Sequence, residues 1–169
     1  FSTPNDAYWS YVDSFLTFCQ SQGVLVFFFP AYAGYGGNSN QGWMPEMVAN
    51  GPTKMNAYGA FLANRYKNQK NVVWMLGGDH GTGAYPMTQA QTAVENALLT
   101  GLKSVAGQQS IEFSAEWIRG SIATDQTTFG AAMTLNGAYA NSGGINSYGR
   151  RAYGRSPTMP AFLLEEPYD

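Results

Sequence analysis

Two stretches of the chain are apolar without interruption, and they restrict the fold more than any other feature. Residues 23–32 read GVLVFFFPAY and residues 72–78 read VVWMLGG, both rich in β-branched and aromatic side chains. A strand with one solvated face alternates apolar and polar residues, whereas a strand of a parallel sheet is covered on both faces and loses that alternation. The two runs therefore predict buried strands of a parallel sheet.

Segments with helical periodicity lie between these runs. The first has Thr3 as a candidate N-cap and Pro4 at the first helical position, and it ends near Gly23. The second covers about 53–67, and the third opens at Thr88 with Gln91 three residues later, the spacing of a capping box. The predicted apolar face of the first helix is formed by Val12, Phe15, Leu16 and Cys19.

Three more stretches predict strands: SIEFSAEW at 110–117, FGAAMTLNG at 129–137 and MPAFLLEEPYD at 159–169. A short helix is expected at about 145–153. Alternation of helices and strands indicates βαβ units and a parallel sheet. Both an open doubly wound sheet and a (β/α)8 barrel fit this order. No repeat or linker divides the chain, so residues 1–169 are interpreted as one domain.

Composition narrows the classes of function. A single cysteine and a single histidine exclude a disulfide framework and the usual cysteine- or histidine-rich metal sites, and we expect neither metal nor cofactor. Charged residues are only 12%, without a basic cluster, which argues against nucleic acid as a partner. No apolar run approaches the ~18 residues of a membrane helix, so no membrane partner is expected. Few lysines among many Asn, Gly, Ser, Thr and Tyr favour a secreted or periplasmic protein.

Carboxylates, aromatic rings and amides follow the predicted strands, while lysine and arginine are nearly missing there. In both parallel architectures ligands bind at the carboxyl ends of the strands. Aromatic faces stack on sugar rings, and two carboxylates on different strands are the minimum for cleaving a glycosidic bond. The pattern thus predicts a neutral, polyhydroxylated ligand. The residues concerned are Tyr32, Trp43, Asp79, His80, Glu116, Asn136, Glu165 and Tyr168.

Plainer interpretations remain open for these residues. An aspartate after Gly-Gly is a common turn or N-cap residue, and Trp43 can equally pack within its loop. Other enzyme classes find less support. The glycine-rich AGYGGN lacks the GK[ST] ending of a phosphate loop, no GxGxxG opens a helix, and the GxSxG turn of an esterase is missing from the sequence.

Three stretches, 4–37, 56–81 and 147–169, resemble the apiosidase-like glycoside hydrolases, a family of (β/α)8-barrel glycosidases. The segment YGAFLANRYK followed by NVVWMLGGD is close to the family's most recognisable sequence. PAFLLEEPYD is similar to its strand of the form P-x-F-L-[IL]-E-x-x-Y-[ED]. The resemblance extends over almost the whole chain.

The resemblance implies two catalytic residues. Such barrels place the acid/base after strand 4 and the nucleophile after strand 7, which correspond here to Asp79 and Glu165. The register favours Glu165 over Glu166, because Tyr168 and Asp169 then match the family's tyrosine and acidic positions, and neighbouring residues of a strand point to opposite faces. Substrate binding is expected from Tyr32, Trp43, His80, Glu116, Asn136 and Tyr168; the family often has arginine at the position of His80.

The resemblance also implies an incomplete barrel. A (β/α)8 domain usually has about 250 residues, so the chain is expected to be a partial TIM barrel with strands 3 to 7 present and strands 1, 2 and 8 missing. The expected function is retaining hydrolysis of O-glycosidic bonds in a plant or microbial polysaccharide, although the fragment alone can be inactive. The alternative is a non-catalytic, carbohydrate-binding remnant barrel that keeps Tyr32, Trp43 and Tyr168 as a sugar platform.

Overall fold

The computed structural model describes residues 1–37, 41–109, 112–140 and 144–165. In these ranges helices alternate with strands except between β3 and β5, which confirms the predicted α/β class. The order is α1 (Asp6–Ser21), β1 (Val26–Phe28), α2 (Met44–Arg65), β2 (Val72–Gly77), α3 (Gln89–Lys103), β3 (Glu112–Glu116), β4 (Ser121–Ile122), β5 (Asn136–Tyr139), α4 (Ile145–Tyr153) and β6 (Ala161–Glu165).

The strands form two adjoining three-stranded sheets. The first has the order β1-β2-β3, with both pairs parallel, and the second has the order β4-β5-β6, in which only the β4–β5 pair is antiparallel. β5 lies beside β3, because the N–H of Leu135 donates to the carbonyl of Phe113 at 3.1 Å. The sheets curve around a shared interior, since the rings of Phe27 on β1 and Phe162 on β6 meet with centroids 4.7 Å apart.

β2 is buried along its whole length, as its unbroken apolar sequence predicts. Behind it α2 and α3 cross at very short range. An added Cβ at Gly59 would lie 2.4 Å from the carbonyl oxygen of Leu98, and one at Gly101 would lie 2.1 Å from that of Asn56. The close crossing brings α3 against the sheet and determines which of its side chains reach β2. In the described ranges no helix combines the length and apolar character that a membrane crossing requires.

The first two helices differ in detail from their predictions. α1 is capped by Asn5 rather than Thr3, because the Asn5 side chain accepts the N–H of Tyr8 at 3.2 Å. Its buried face includes Leu16 and Cys19 as predicted, but Phe15 is 49% exposed. α2 begins at Met44 instead of near 53. The helix is kinked at Gly51, where φ is 76°, and this interruption hides its first turns from a periodicity argument.

The prediction of a strand over 129–137 is wrong except at its last two residues. Gly130–Ala132 is a 3₁₀ turn, and β5 begins only at Asn136. Glycine and alanine have low strand propensity, and here Phe129 packs against Trp117 with ring centroids 5.7 Å apart. The short strand β4 was not predicted. α3 was predicted correctly, and its capping box joins Thr88 and Gln91.

Candidate active site

The turn that ends β2 is unusual because three successive residues have positive φ. The angles are 79° at Gly77, 119° at Gly78 and 50° at Asp79. A Cβ at Gly77 would lie 2.2 Å from the carbonyl oxygen of Glu116, and one at Gly78 would lie 2.5 Å from the ring of Tyr32. At positions 77 and 78 the backbone therefore passes too close to its neighbours for any residue but glycine. Aspartate tolerates the left-handed region better than most side chains do.

Two tyrosines hold the Asp79 carboxyl. The Tyr32 hydroxyl donates to Asp79 Oδ2 at 3.0 Å, and the side chain of Tyr139 forms a second hydrogen bond with the same carboxyl. The Asp79 backbone is also fixed, since its carbonyl accepts the N–H of Gly36 at 3.0 Å. Asp79 thus lies at the carboxyl end of β2, held by contacts from β5 and from the loop after β1.

Burial raises the pKa of Asp79 above its usual range. The hydrogen bond from Tyr32 opposes this effect because it stabilises the carboxylate, and the hydrogen bond from Tyr139 acts in the same direction. The negative charge of Glu165 raises the pKa of Asp79 further. Since burial and the second carboxylate prevail, Asp79 keeps its proton to a higher pH than an ordinary aspartate.

A third carboxylate, Glu116, ends β3 and is 7% exposed. Burial, and then the charges of Asp79 and Glu165, raise its pKa to about 7, although hydrogen bonding from the Asp79 backbone and the Tyr32 side chain opposes this. Glu165 ends β6 in register with Tyr139. Burial and the charges of all three carboxylates raise the pKa of Tyr32. The carboxylates of Asp79, Glu116 and Glu165 therefore converge around one tyrosine at the carboxyl ends of the strands.

This arrangement is suited to proton transfer. Carboxylates that share a site cannot all ionise easily, so one stays protonated while another carries the charge. A protonated carboxyl beside an ionised one provides an acid and a base or nucleophile within a single mouth. Among the described residues, no three histidine, cysteine, aspartate or glutamate side chains are arranged to hold a metal ion.

Two residues predicted to bind substrate lie elsewhere. His80 is 1% exposed, and its ring is covered by Gly37, where an added Cβ would lie 2.6 Å from it. Burial lowers the pKa of His80, which favours the neutral ring. Asn136 is fully buried at the start of β5, where it donates to the carbonyl of Ala152 at 2.9 Å and accepts the N–H of Thr124 at 3.3 Å. His80 supports the turn that carries Asp79, and Asn136 anchors α4.

Trp43 lies on the rim. It is 55% exposed, its backbone N–H donates to the carbonyl of Tyr32 at 2.8 Å, and the edge of its ring meets Phe1 with centroids 6.2 Å apart. The ring is available to a ligand beside Tyr32. The predictions for Tyr168, and the choice between Glu165 and Glu166, involve residues 166–169, which lie outside the described residues.

Three residues near Asp79 were not predicted as functional. Tyr139 ends a parallel strand, as Glu116 and Glu165 do. Its position at the carboxyl end of a strand is the signal that could have identified it. Glu95 and Gln91 lie on α3, where helical spacing places both beside the buried residue Val94. Glu95 is fully buried, and its Oε1 accepts the backbone N–H of Gly77 at 2.8 Å.

The sequence and the fold were compared with known proteins. The profile of a family described as "Apiosidase-like, catalytic domain" matches residues 1–169. A glycoside hydrolase family 5 protein from Bacteroides vulgatus ATCC 8482 has a similar structure, with a TM-score of 0.70 and 20% identity over 96% of this chain and 34% of its own. A second solved structure, described as a glycoside hydrolase, gives a TM-score of 0.69 and 19% identity over 96% of this chain and 37% of its own. No curated protein matches. The chain has the α/β fold of these structures and spans about a third of their length.

Proposed function

The chain belongs to the apiosidase-like family of catalytic domains, and from this premise we propose that it supplies the catalytic carboxylates of a retaining glycoside hydrolase. One observation carries the proposal. Asp79 follows β2 and Glu165 ends β6 in the other sheet, so two carboxylates lie at the carboxyl ends of the strands, close enough for the charge of Glu165 to raise the pKa of Asp79. An acid and a nucleophile on separate strands are the minimum that glycoside cleavage requires.

In this mechanism Glu165 is the nucleophile and Asp79 the acid/base. A Glu165 oxygen attacks the anomeric carbon while the Asp79 proton passes to the leaving oxygen, so the glycosidic bond breaks and a glycosyl ester forms. Water then attacks the same carbon, Asp79 takes up a proton from it, and Glu165 is released as a carboxylate. Retention requires the two carboxyl groups to lie about 5–5.5 Å apart, rather than the roughly 6.5–9.5 Å of inverting enzymes.

The electrostatics support this division of roles. The acid must be protonated near neutral pH while the nucleophile is ionised. Burial raises the pKa of Asp79, and the charge on Glu165 raises it further, which is the direction that the acid requires. When the glycosyl ester forms, the charge on Glu165 disappears. The pKa of Asp79 then falls, and Asp79 becomes the base that the second step needs.

We also propose that β1, β2, β3, β5 and β6 correspond to strands 3 to 7 of a (β/α)8 barrel. The curvature of the sheets and the likeness of the fold to solved glycoside hydrolases support a barrel of this kind. The substrate would be a plant or microbial polysaccharide, with a sugar ring stacked beside Tyr32 on the exposed Trp43. A polymeric substrate of this kind fits a secreted or periplasmic protein.

Release of reducing sugar from a panel of polysaccharides tests the proposal, with the protein that carries this chain. Asp79→Asn should abolish release, and azide should restore turnover of Glu165→Ala with formation of a glycosyl azide of inverted configuration. Azide replaces the missing nucleophile, so this product identifies Glu165 by its chemistry. Full activity of both variants, or carboxyl groups more than about 10 Å apart in a substrate complex, would contradict the assignment.

A non-catalytic carbohydrate-binding role is the second candidate, and the exposed ring of Trp43 favours it. A binding module needs an aromatic platform but no proton donor. Isothermal titration would then show glycan binding that Trp43→Ala removes and Asp79→Asn leaves intact, without any release of reducing sugar from the wild-type protein.

A further inference from the structure

A carboxyl that the proposed reaction does not use lies beneath the turn that carries Asp79. Glu95, near the middle of α3, is completely buried. Its Oε1 accepts the N–H of Gly77 at 2.8 Å, whereas its Oε2 has no hydrogen-bond partner in the described part of the chain. Glutamate is rarely buried without a paired charge, because removing a carboxylate from water is unfavourable. Its position under the turn therefore needs a physical reason.

The reason lies in the backbone of the turn. With positive φ at Gly77, Gly78 and Asp79, the chain leaves the regular path of a strand. The N–H of Gly78 still reaches the carbonyl of Glu116 at 2.7 Å, but the N–H of Gly77 finds its acceptor on α3, at Glu95. A buried N–H without an acceptor is strongly disfavoured, so the turn depends on a side-chain acceptor at this position.

Gln91, one helical turn before Glu95, supports the other side of the same turn. Its Oε1 accepts the N–H of Thr88 at 2.8 Å in the capping box, and its Nε2 donates to the carbonyl of Gly37 at 3.5 Å. The neighbouring N–H of Gly36 donates to the carbonyl of Asp79. The first half of α3 thus contacts both the first residue of the turn and the loop that closes over it.

We propose that Glu95 is a positioning residue for Asp79 that acts through the N–H of Gly77, an inference that rests on the catalytic role proposed for Asp79. Glu95 does not reach the mouth, and it touches neither Tyr32 nor Glu165 through any contact described above. Its effect is to hold the left-handed turn in the one geometry that lets the Asp79 carboxyl meet the Tyr32 hydroxyl at 3.0 Å.

The ionisation of Glu95 makes the support sensitive to pH. Burial raises its pKa to about 7, and only the hydrogen bond from Gly77 opposes this. The elements packed on α3 bring no compensating charge. β2 has no ionisable side chain, and His80 does not shift the pKa of Glu95. The ionisable residues of α2 do not shift it either; they are Glu46, Lys54, Tyr58 and Arg65. Folded-state stability from Glu95 is therefore complete below pH 4.5 and is lost as the pH rises to about 7.

Three variants of the protein that carries this chain test the proposal. Glu95→Gln keeps an oxygen acceptor for Gly77, Glu95→Leu removes the acceptor at similar volume, and Leu102→Ala is a matched control on the buried face of the same helix. The measurements are the ¹³C NMR titration of the Asp79 carboxyl, kcat and KM for glycan hydrolysis, and the unfolding midpoint between pH 4 and 8.

Glu95→Leu should return the Asp79 titration toward that of an ordinary aspartate and lower kcat about 100-fold with little change in KM, the size of effect that a misplacement of ~1 Å can have. Glu95→Gln should keep both values and remove part of the pH dependence of unfolding. Leu102→Ala should lower only stability.

An Asp79 titration that is unchanged in Glu95→Leu would overturn the positioning role, as would a Glu95→Gln variant that behaves like Glu95→Leu. The titration does not depend on turnover. If the wild-type protein hydrolyses no glycan, the proposed function fails, and the Asp79 titration still decides the role of Glu95.

Discussion

The Tyr32 hydroxyl donates a 3.0 Å hydrogen bond to Asp79 Oδ2, joining residues that are 47 positions apart in the sequence. Tyr32 follows β1 and Asp79 follows β2, two neighbouring parallel strands, so the bond connects the ends of adjacent strands. It also lowers the pKa of Asp79, because a donated hydrogen bond stabilises the carboxylate, although burial, the larger effect, keeps the pKa raised.

Tyr32→Phe should therefore raise the pKa of Asp79. The acid would stay protonated to higher pH, and the alkaline limb of the kcat/KM profile should move upward. Tyr35→Phe is the control, because the Tyr35 hydroxyl lies 3.0 Å from the Tyr85 hydroxyl and does not bond to Asp79. A downward shift of the limb in Tyr32→Phe would mean that the hydroxyl does not stabilise the carboxylate.

Glu165→Gln should lower the pKa of Asp79, because the negative charge of Glu165 is one of the causes that raise it. The ¹³C NMR titration of the Asp79 carboxyl measures the shift without requiring activity. Glu112→Gln is the control, because Glu112 lies at the exposed start of β3, away from the cluster. An equal shift in both variants would assign the effect to general loss of charge.

The two adjacent glutamates should differ sharply in catalysis. Glu165→Ala is expected to lower kcat by at least about a thousandfold, since it removes the nucleophile, whereas Glu166→Ala should have little effect. Single-turnover and steady-state kinetics on one substrate provide the comparison. If Glu166→Ala is the inactive variant, the register of the last strand is displaced by one residue.

Stability should fall as the pH rises through the neutral range, in part because of Glu116. Its pKa is raised from 4.5 to about 7 in the folded chain. The folded state thus binds more protons than the unfolded state between these values, and the contribution present below pH 4.5 is lost by about pH 7. Chemical denaturation at several pH values should give a flatter profile for Glu116→Gln. Glu112→Gln, at the exposed start of the same strand, should leave the profile unchanged.

Gly77→Ala should destabilise the protein by several kcal/mol and displace Asp79, because its Cβ would lie 2.2 Å from the carbonyl oxygen of Glu116. Gly23→Ala is a matched control, with φ of 70° and open space around the position. It should cost only the ~1–2 kcal/mol of left-handed strain. Equal losses of unfolding free energy in the two variants would show that strain, and not the contact with β3, limits position 77.

The parts of the fold that sequence analysis predicted well are those dictated by local chemistry. Unbroken apolar runs identified β1 and β2, although β1 has only three residues and is partly exposed rather than buried, and the capping box placed the start of α3. The stretch at 129–137 looked like a strand because of its apolar residues, but its first side chain, Phe129, packs on Trp117 from a turn. Long-range packing, which periodicity does not contain, decided that segment.

In the candidate site, too, local sequence predicted some residues while long-range packing decided the others. Position after a strand was enough to select Asp79, Glu116 and Glu165, because parallel strands bring their carboxyl ends together. It could not show that His80 turns beneath Gly37, or that Asn136 begins its strand rather than ends it. The supporting role of Glu95 depends on the helix crossing at Gly59 and Gly101, a contact between residues far apart in the sequence.

The φ of 50° at Asp79 bears on the choice of an inactive variant for trapping a substrate complex. Glutamate, alanine and glutamine are all strained in that conformation. A loss of activity in those variants would therefore combine two effects, a displaced backbone and the missing acid. Asparagine adopts the left-handed region as readily as aspartate and has nearly the same shape. Asp79→Asn is therefore the exchange that removes the proton donor while leaving the backbone and the shape of the site unchanged.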